Sequence, residues 1–134
     1  ISLFTATGFS QQNSTQKIKE TIDAFVKAAD QNDDTTLSTY LDDNYRLVMN
    51  RLFGSDQVTV LTKTMYLEKI KSKVFGGDNR VVTIQDIIIN GNTAVAQVTL
   101  KGEKMTFISL ISLVMDASSN WKLISDCPYI VKKE

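Results

Sequence analysis

The chain has 134 residues, the size of one domain, and its 43% hydrophobic and 22% charged residues are typical of a folded protein. Its 15 basic and 15 acidic residues cancel, whereas a nucleic-acid-binding protein normally carries a basic excess. The sequence contains no histidine and a single cysteine, Cys127, which excludes an internal disulfide and cysteine-rich zinc sites. We therefore expect no metal, no cofactor and no nucleic-acid partner.

Residues 1–10 carry no charge and mix apolar with small side chains. This composition is typical of the end of a secretory signal peptide, although an apolar segment packed on the domain is the alternative. We expect residues 1–13 to be an N-terminal extension and residues 14–134 to form a single domain. The predicted location is periplasmic or secreted, with a cytoplasmic location as the alternative. No stretch has the ~18–20 apolar residues that a membrane-spanning helix needs.

Three helices are predicted in the first part of the chain. Asn13 or Ser14 can cap the first, whose apolar residues recur at helical spacing until about residue 32. A short second helix is expected from residue 33 or 34. A third is expected from residue 62 or 64 until Gly76-Gly77, because glycine commonly ends helices.

Strands are predicted in most of the remaining sequence. Tyr45, Leu47 and Met49 alternate with polar residues, which indicates a half-buried strand. Four further strands are expected over residues 81–89, 93–100, 104–115 and from 121 onward, with a hairpin turn at Asn90-Gly91. Helices that precede a run of strands favour an α+β fold with an antiparallel sheet.

Asp86 interrupts an otherwise apolar strand. One interpretation is an acid inside a pocket with a raised pKa. The other is a β-bulge at Gln85-Asp86, because the apolar residues slip by three positions between Ile84 and Ile87. We favour the bulge.

Three segments resemble the nuclear transport factor two-like superfamily, which includes the SnoaL-like proteins. These are the helix that ends in a polar turn at residues 22–33, the entry into the first strand at 37–44, and the closing hairpin at 107–124. The resemblance covers Ser14 to Val131, and the hairpin is most similar to the putative lumazine-binding branch, whose members mostly lack a shown activity. It implies a cone-shaped, cystatin-like α+β fold, with three N-terminal helices packed on a curved antiparallel sheet.

The resemblance also allows a test for ketosteroid isomerase chemistry, which uses a carboxylate base, a tyrosine and a protonated aspartate. The tyrosine position corresponds to Phe25, the base to Val48 or Met49, and the acid to residues 108–111, none of which supplies the required group. We therefore predict no acid–base machinery and no catalytic residues. Asp86 or Asp126 buried in the main cavity beside Tyr40, Tyr45 or Tyr66 would contradict that prediction.

Aromatic and flexible apolar side chains with a few hydroxyl groups are typical of small-molecule pockets. For each of these residues core packing is the alternative, and for Ser109 we favour a close approach by a helix or a second subunit. The candidate ligand-binding residues are Phe25, Tyr40, Tyr45, Met49, Tyr66 and Ser109.

The function that we favour is a non-catalytic domain that binds a small apolar molecule or takes part in interactions, in an exported bacterial protein. The alternatives are a SnoaL-like isomerase or hydrolase and a structural protein-interaction module. The strand over 104–115 is apolar on both faces, with Ile108, Leu110 and Val114 on one of them. A homodimer built on the outer face of the sheet is therefore expected.

Overall fold

The computed structural model describes residues 2–132, with side chains from Gln11 onward. Its elements in chain order are α1 (Ser2–Asp30), α2 (Asp34–Ser38), β1 (Leu41–Asn50), β2 (Val58–Thr62), α3 (Lys63–Lys71), β3 (Val81–Asn90), β4 (Thr93–Lys101), β5 (Met105–Met115) and β6 (Trp121–Lys132). The predicted α+β fold class is therefore confirmed. Within residues 2–132, no helix is long and apolar enough to cross a membrane.

The helical layer consists of one long helix and two short ones. The apolar residues predicted for α1, including Ile18, Ile22 and Phe25, are almost fully buried against the sheet. The predicted start at Asn13 or Ser14 is wrong, because α1 begins at Ser2 and runs through both residues. A capping residue permits a helix to begin but does not force it to. The predicted signal-peptide remnant stays a prediction, because the side chains of residues 1–10 lie outside the described part of the chain.

The two short helices begin close to where the sequence predicts. The Asp33 side chain caps α2 by accepting a hydrogen bond from the Thr36 amide. The Thr62 side chain caps α3 by accepting one from the Met65 amide. The end predicted for α3 at Gly76-Gly77 is late, because the helix stops at Lys71. Residues 72–80 then run irregularly from α3 to β3.

The six strands form one curved sheet in the order β2-β1-β6-β5-β4-β3. The predicted antiparallel run from β3 to β6 is confirmed, but the sheet is mixed, because β1 pairs with β6 in parallel. That parallel pairing ends at Leu47 and Asp126, two residues before Pro128. Proline cannot donate a backbone hydrogen bond, so Pro128 lies where β6 no longer needs a donor toward β1.

The sheet has a buried concave face and an outer face. On β5, Ile111 and Leu113 lie in the core, whereas Ile108 and Leu110 on the opposite side are 42% and 55% exposed. The expectation that this strand is apolar on both faces is confirmed.

Asp86 lies in a β-bulge on β3. The pairing with β4 shifts between Ile84 and Asp86, and the Asp86 side chain is exposed. The bulge interpretation is confirmed, and the interpretation of Asp86 as a pocket acid is wrong. The bulge keeps Ile84 and Ile87 on the concave face despite the extra residue.

Candidate functional site

A cavity of about 500 Å³ lies between the helices and the concave face of the sheet. α1 contributes Phe25 to its wall and α3 contributes Tyr66 and Ile70. The sheet contributes Leu47 and further apolar residues of β1, β5 and β6. The volume lies within the range of natural ligand pockets, which are mostly apolar with a few polar groups.

Asp126 is a buried acid in the β6 wall of this cavity. Burial raises the pKa of its carboxyl group to about 7, because the charged form is poorly solvated there, and the Ser109 hydroxyl and the Arg80 charge oppose the effect only in part. The Oδ1 atom of Asp126 makes no hydrogen bond to any residue of the described part. Near neutral pH this group can therefore donate a proton to a ligand atom or accept one.

Three hydroxyl groups surround the same region. Ser109 Oγ and the Tyr45 hydroxyl are buried, and among residues 11–132 neither has a hydrogen-bond partner. The rings of Tyr45 and Tyr66 lie 5.5 Å apart, and the Tyr66 side chain lines the cavity. Burial raises the pKa of both phenols above the ordinary value, so both remain neutral donors.

A second polar region, the charged rim, consists of Asp30, Lys73, Asp78, Arg80 and Lys104, all of which line the cavity. Arg80 and Asp30 form a buried ion pair with Nε and Oδ1 2.6 Å apart, and their side chains are only 9% and 11% exposed. The Arg80 amide also donates to Asp30 Oδ2 at 2.9 Å, so both carboxylate oxygens are satisfied. Such charge-assisted contacts hold the Arg80 side chain in one orientation.

Asp78 ties the rim to the turn between β4 and β5. Its carboxylate accepts hydrogen bonds from the amides of Asn79, Glu103 and Lys104. Burial alone raises the pKa of Asp78, but these hydrogen bonds, together with the Arg80 charge, outweigh that effect and hold the pKa below its ordinary value. Asp78 therefore remains charged and fixes the turn against the segment before β3.

The segment after α3 forms the opposite side of the rim. Asn32 adopts a left-handed conformation, and its side-chain amide donates to the carbonyl oxygens of Ile70 and Phe75 at 2.8 and 2.7 Å. Gly76 has a φ of +82°, and a β-carbon there would collide with the carbonyl oxygen of Ala29. Glycine is therefore required for this segment to pack against the end of α1.

The structure brings together half of the ligand-binding residues predicted from the sequence. Phe25, Met49 and Tyr66 line the cavity, whereas Tyr45 and Ser109 are buried in the wall behind it. The sixth candidate, Tyr40, is partly buried in the turn before β1 and does not line the cavity. That these residues bind a ligand stays a prediction.

The structure contradicts the prediction that the cavity holds no acid–base groups, whereas the absence of catalytic residues stays a prediction. Phe25 and Met49 line the cavity without a titratable group. An acid is nevertheless present in the cavity. Residues 108–111 of β5 contain no acid, but Asp126 on the neighbouring strand β6 lies directly opposite Ile111. Asp126 and Tyr66 both line the cavity. This is the arrangement named above as one that contradicts the predicted lack of acid–base groups.

Sequence reasoning missed the charged rim completely. Asp30 and Arg80 are 50 residues apart along the chain, so no local pattern indicates that they form a pair. Strict alternation with Trp121 and Leu123 would place Asp126 on the outer face of the sheet, so no local signal indicates a cavity acid. A bulge near Ile124 disturbs that alternation, since Ser112 pairs with Ser125 but Leu113 pairs with Leu123.

No metal site accompanies these groups in the described part of the chain, where no three acidic or cysteine side chains come together in a way that could hold an ion. The polar groups that line the cavity are therefore Asp126, the Tyr66 hydroxyl and the charged rim, with the Tyr45 and Ser109 hydroxyl groups in the wall behind it.

Comparison with known structures identifies the fold. A nuclear transport factor two-like protein of unknown function from Silicibacter pomeroyi is 12% identical, with a TM-score of 0.78 over 90% of this chain and 98% of its own. A similar protein from Shewanella baltica is 15% identical, with a TM-score of 0.78 over 90% and 96%. A protein of unknown function with a cystatin-like fold, from Nostoc punctiforme, is 12% identical, with a TM-score of 0.70 over 87% and 90%.

The sequence itself gives a more specific assignment than these structural similarities. No curated protein matches it significantly. The family model described as "Putative lumazine-binding" matches residues 13–127, most of the chain and all elements from the middle of α1 into β6. The chain therefore belongs to this family, within the nuclear transport factor two-like fold that its sequence resembles.

Proposed function

We propose that this protein is a binding domain for a small, mainly apolar molecule, which occupies the cavity between α1, α3 and the sheet. The observation that carries the proposal is the cavity itself, about 500 Å³ in volume and lined mainly by apolar side chains. Native cores are packed to crystal-like density, so a space of this size is not a packing defect. The family description, which names lumazine, and the fold are consistent with this function.

The polar groups near Asp126 support a ligand rather than an empty apolar space. Three buried atoms, Tyr45 Oη, Ser109 Oγ and Asp126 Oδ1, make no hydrogen bond of ordinary geometry within residues 11–132, although the Ser109 hydroxyl is near enough to Asp126 to lower its pKa. A buried polar group without a partner costs ~1–3 kcal/mol, and a ligand with a polar atom at this wall would remove part of that cost. The expected ligand therefore has an apolar body and at least one hydrogen-bonding group.

The test uses N-phenyl-1-naphthylamine, an uncharged apolar dye whose fluorescence rises in apolar sites. We expect the protein to bind it, and Met49→Trp to weaken binding at least tenfold by filling the cavity. Val48→Trp is the matched control, because Val48 is the adjacent residue on β1 and does not line the cavity. Absence of dye binding, or equal effects of both variants, would contradict the proposal. Native mass spectrometry of the purified protein would detect a retained ligand.

A second candidate function is an isomerase or hydrolase, and Asp126 is the observation that favours it. An acid whose pKa is raised to about 7 by burial is suited to proton transfer near neutral pH. Tyr66 lines the same cavity and provides a neutral donor. Turnover of a β,γ-unsaturated steroid ketone or an aliphatic epoxide that disappears in Asp126→Asn would support the enzyme. Dye binding without turnover supports the binding domain.

We also propose a homodimer formed through the outer face of the sheet. Ile108 pairs with Tyr129 and Leu110 with Cys127, so exposed apolar side chains of β5 and β6 lie side by side there. Burial of such a patch is favourable. Leu110→Lys is expected to give monomers in sedimentation equilibrium, whereas Val58→Lys, at a similarly exposed site on β2, is not. A monomeric wild-type protein at high concentration would contradict the dimer.

Export from the cell remains a proposal that rests on the uncharged, apolar composition of residues 1–10. Cell fractionation of the organism with an antibody against this domain would test it. We expect the protein in the periplasmic or secreted fraction, and recovery in the cytoplasm would contradict export.

A further inference from the structure

We propose that the ligand of this cavity carries one carboxylate group, which binds at the charged rim between Arg80 and Lys104. This inference rests on the proposed binding function and adds the chemical class of the ligand. The observations that carry it are the orientation of Arg80, the position of Lys104 and the balance of charges around the cavity.

Arg80 is held in a way that leaves part of its guanidinium group available. Asp30 engages the Nε atom and the backbone amide of Arg80, and the guanidinium carbon lies 4.9 Å from the centre of the Phe107 ring. In the described part of the chain, the two Nη groups donate no hydrogen bond to a protein atom. Arg80 lines the cavity, and the planar array of donors on a guanidinium group matches the two oxygens of a carboxylate.

Lys104 is held at the same rim through its backbone. Asp78 accepts the amides of Glu103 and Lys104 at 2.9 and 3.3 Å, and Asp78 lies two residues before Arg80. The Lys104 side chain lines the cavity, and among residues 11–132 its ammonium group forms no ion pair. Lys73, on the segment after α3, also lines the cavity and likewise has no acidic partner there.

The charges around the cavity leave room for one anion. Three basic side chains line the cavity, those of Lys73, Arg80 and Lys104, against the two rim carboxylates of Asp30 and Asp78. One positive charge therefore remains in excess when Asp126 is protonated. A ligand with one carboxylate would balance that charge. A second acidic group is disfavoured, because Asp126 in the same cavity would repel it once ionised. The apolar walls, which include Phe25, Leu47 and Ile70, suit the remainder of the ligand.

The experiment measures displacement of N-phenyl-1-naphthylamine by decanoate and by decan-1-ol, which have the same chain length and differ in charge. In Lys104→Gln we expect the affinity for decanoate to fall at least fivefold, while the affinity for decanol stays within twofold of wild type. Arg80→Lys should lower decanoate affinity similarly, because it keeps the charge but loses the planar donors. Added salt should lower the affinity for decanoate and leave the affinity for decanol unchanged, because salt screens the interaction between charges.

Lys101→Gln is the matched control, because Lys101 is an exposed lysine near the same turn that does not line the cavity. It should leave both affinities unchanged. If dye and decanol bind but Lys104→Gln and Lys101→Gln affect decanoate equally, the carboxylate site is overturned and the binding domain stands. If neither dye nor decanol binds the wild-type protein, the proposed function and this inference both fail.

Discussion

Asp30 and Asp78 at the charged rim and Asp126 in the β6 wall are all carboxyl groups in one cavity, but their surroundings differ. Asp30 accepts hydrogen bonds from the side chain and the backbone amide of Arg80, one on each carboxylate oxygen. Asp78 accepts hydrogen bonds from backbone amides on both of its oxygens. Asp126 Oδ1 accepts none within the described part of the chain. At Asp78 these hydrogen bonds outweigh burial and hold the pKa below its ordinary value, whereas at Asp126 burial outweighs the Ser109 hydroxyl and the Arg80 charge and raises the pKa to about 7.

This difference separates structural polar groups from groups available to a ligand. The rim carboxylates fix segments that are distant in sequence, and substitution there should act mainly on stability. Asp126 contributes a cost to folding, which is expected where a residue is retained for binding or chemistry. Three substitutions test this division.

Asp30→Asn should destabilise the protein by roughly 3–5 kcal/mol, because it leaves the buried Arg80 guanidinium without its partner. Urea unfolding at pH 7 measures this change. The control is Asp43→Asn, which removes a salt bridge to Lys63 from an almost fully exposed carboxylate. That change should have no measurable effect, since exposed pairs contribute little. Equal losses in both variants would mean that the rim pair is not structural.

Asp126→Asn should make the protein more stable at pH 8 and leave its stability unchanged at pH 4. Because the folded-state pKa is raised from 3.8 to about 7, wild-type stability is highest below the unfolded value and is lost as the pH rises toward 7. The lost stability reaches at most roughly 4 kcal/mol above pH 7. Urea unfolding at several pH values gives the curve for each protein.

The control for that experiment is Asp86→Asn, which removes an exposed carboxylate from the bulge on β3. Its difference from wild type should not vary between pH 4 and pH 8. If the stability difference between Asp126→Asn and wild type also stays constant from pH 4 to pH 8, the pKa of Asp126 is not raised in the folded protein.

Gly76→Ala should destabilise the protein by roughly 2–3 kcal/mol, through its positive φ and the collision with the Ala29 carbonyl. Gly54→Ala is the control, since Gly54 has the same φ of +82° and no heavy atom near the position of a new β-carbon. The difference between the two melting temperatures isolates the packing of the rim segment against α1. Equal changes would indicate that this contact is not required.

The parts of the fold that the sequence predicts are those with local patterns. The hairpin at Asn90-Gly91 and the bulge at Asp86 follow from turn chemistry and from a slip in alternation. β2 was not predicted, because it is a five-residue edge strand whose apolar residues Val58 and Val60 are exposed rather than part of the core. The parallel pairing of β1 with β6 was not predicted either, since it joins segments with no local relation.

The candidate site was predicted in part for the same reason. Phe25, Met49 and Tyr66 line the cavity because each lies on the apolar side of a regular element, and that side faces the core. The charged rim depends on contacts between α1, the segment before β3 and a turn, which only the folded chain brings together. The position of Asp126 opposite Ile111 was not predictable, because it depends on the pairing of β5 with β6 and on the bulge in that pairing, which no local pattern indicates.

The position of β6 between β1 and β5 has a consequence for the order of folding. β1 lies early in the sequence, but its neighbour toward the centre of the sheet is β6, the last strand. Leu41 therefore cannot pair with Leu123 until almost all of the domain has been synthesised. Before then the β1–β2 hairpin and the β3–β5 meander are separate units, each with an unpaired edge. Closing so long a loop is slow compared with forming hairpins, so completion of the sheet is expected to limit the folding rate.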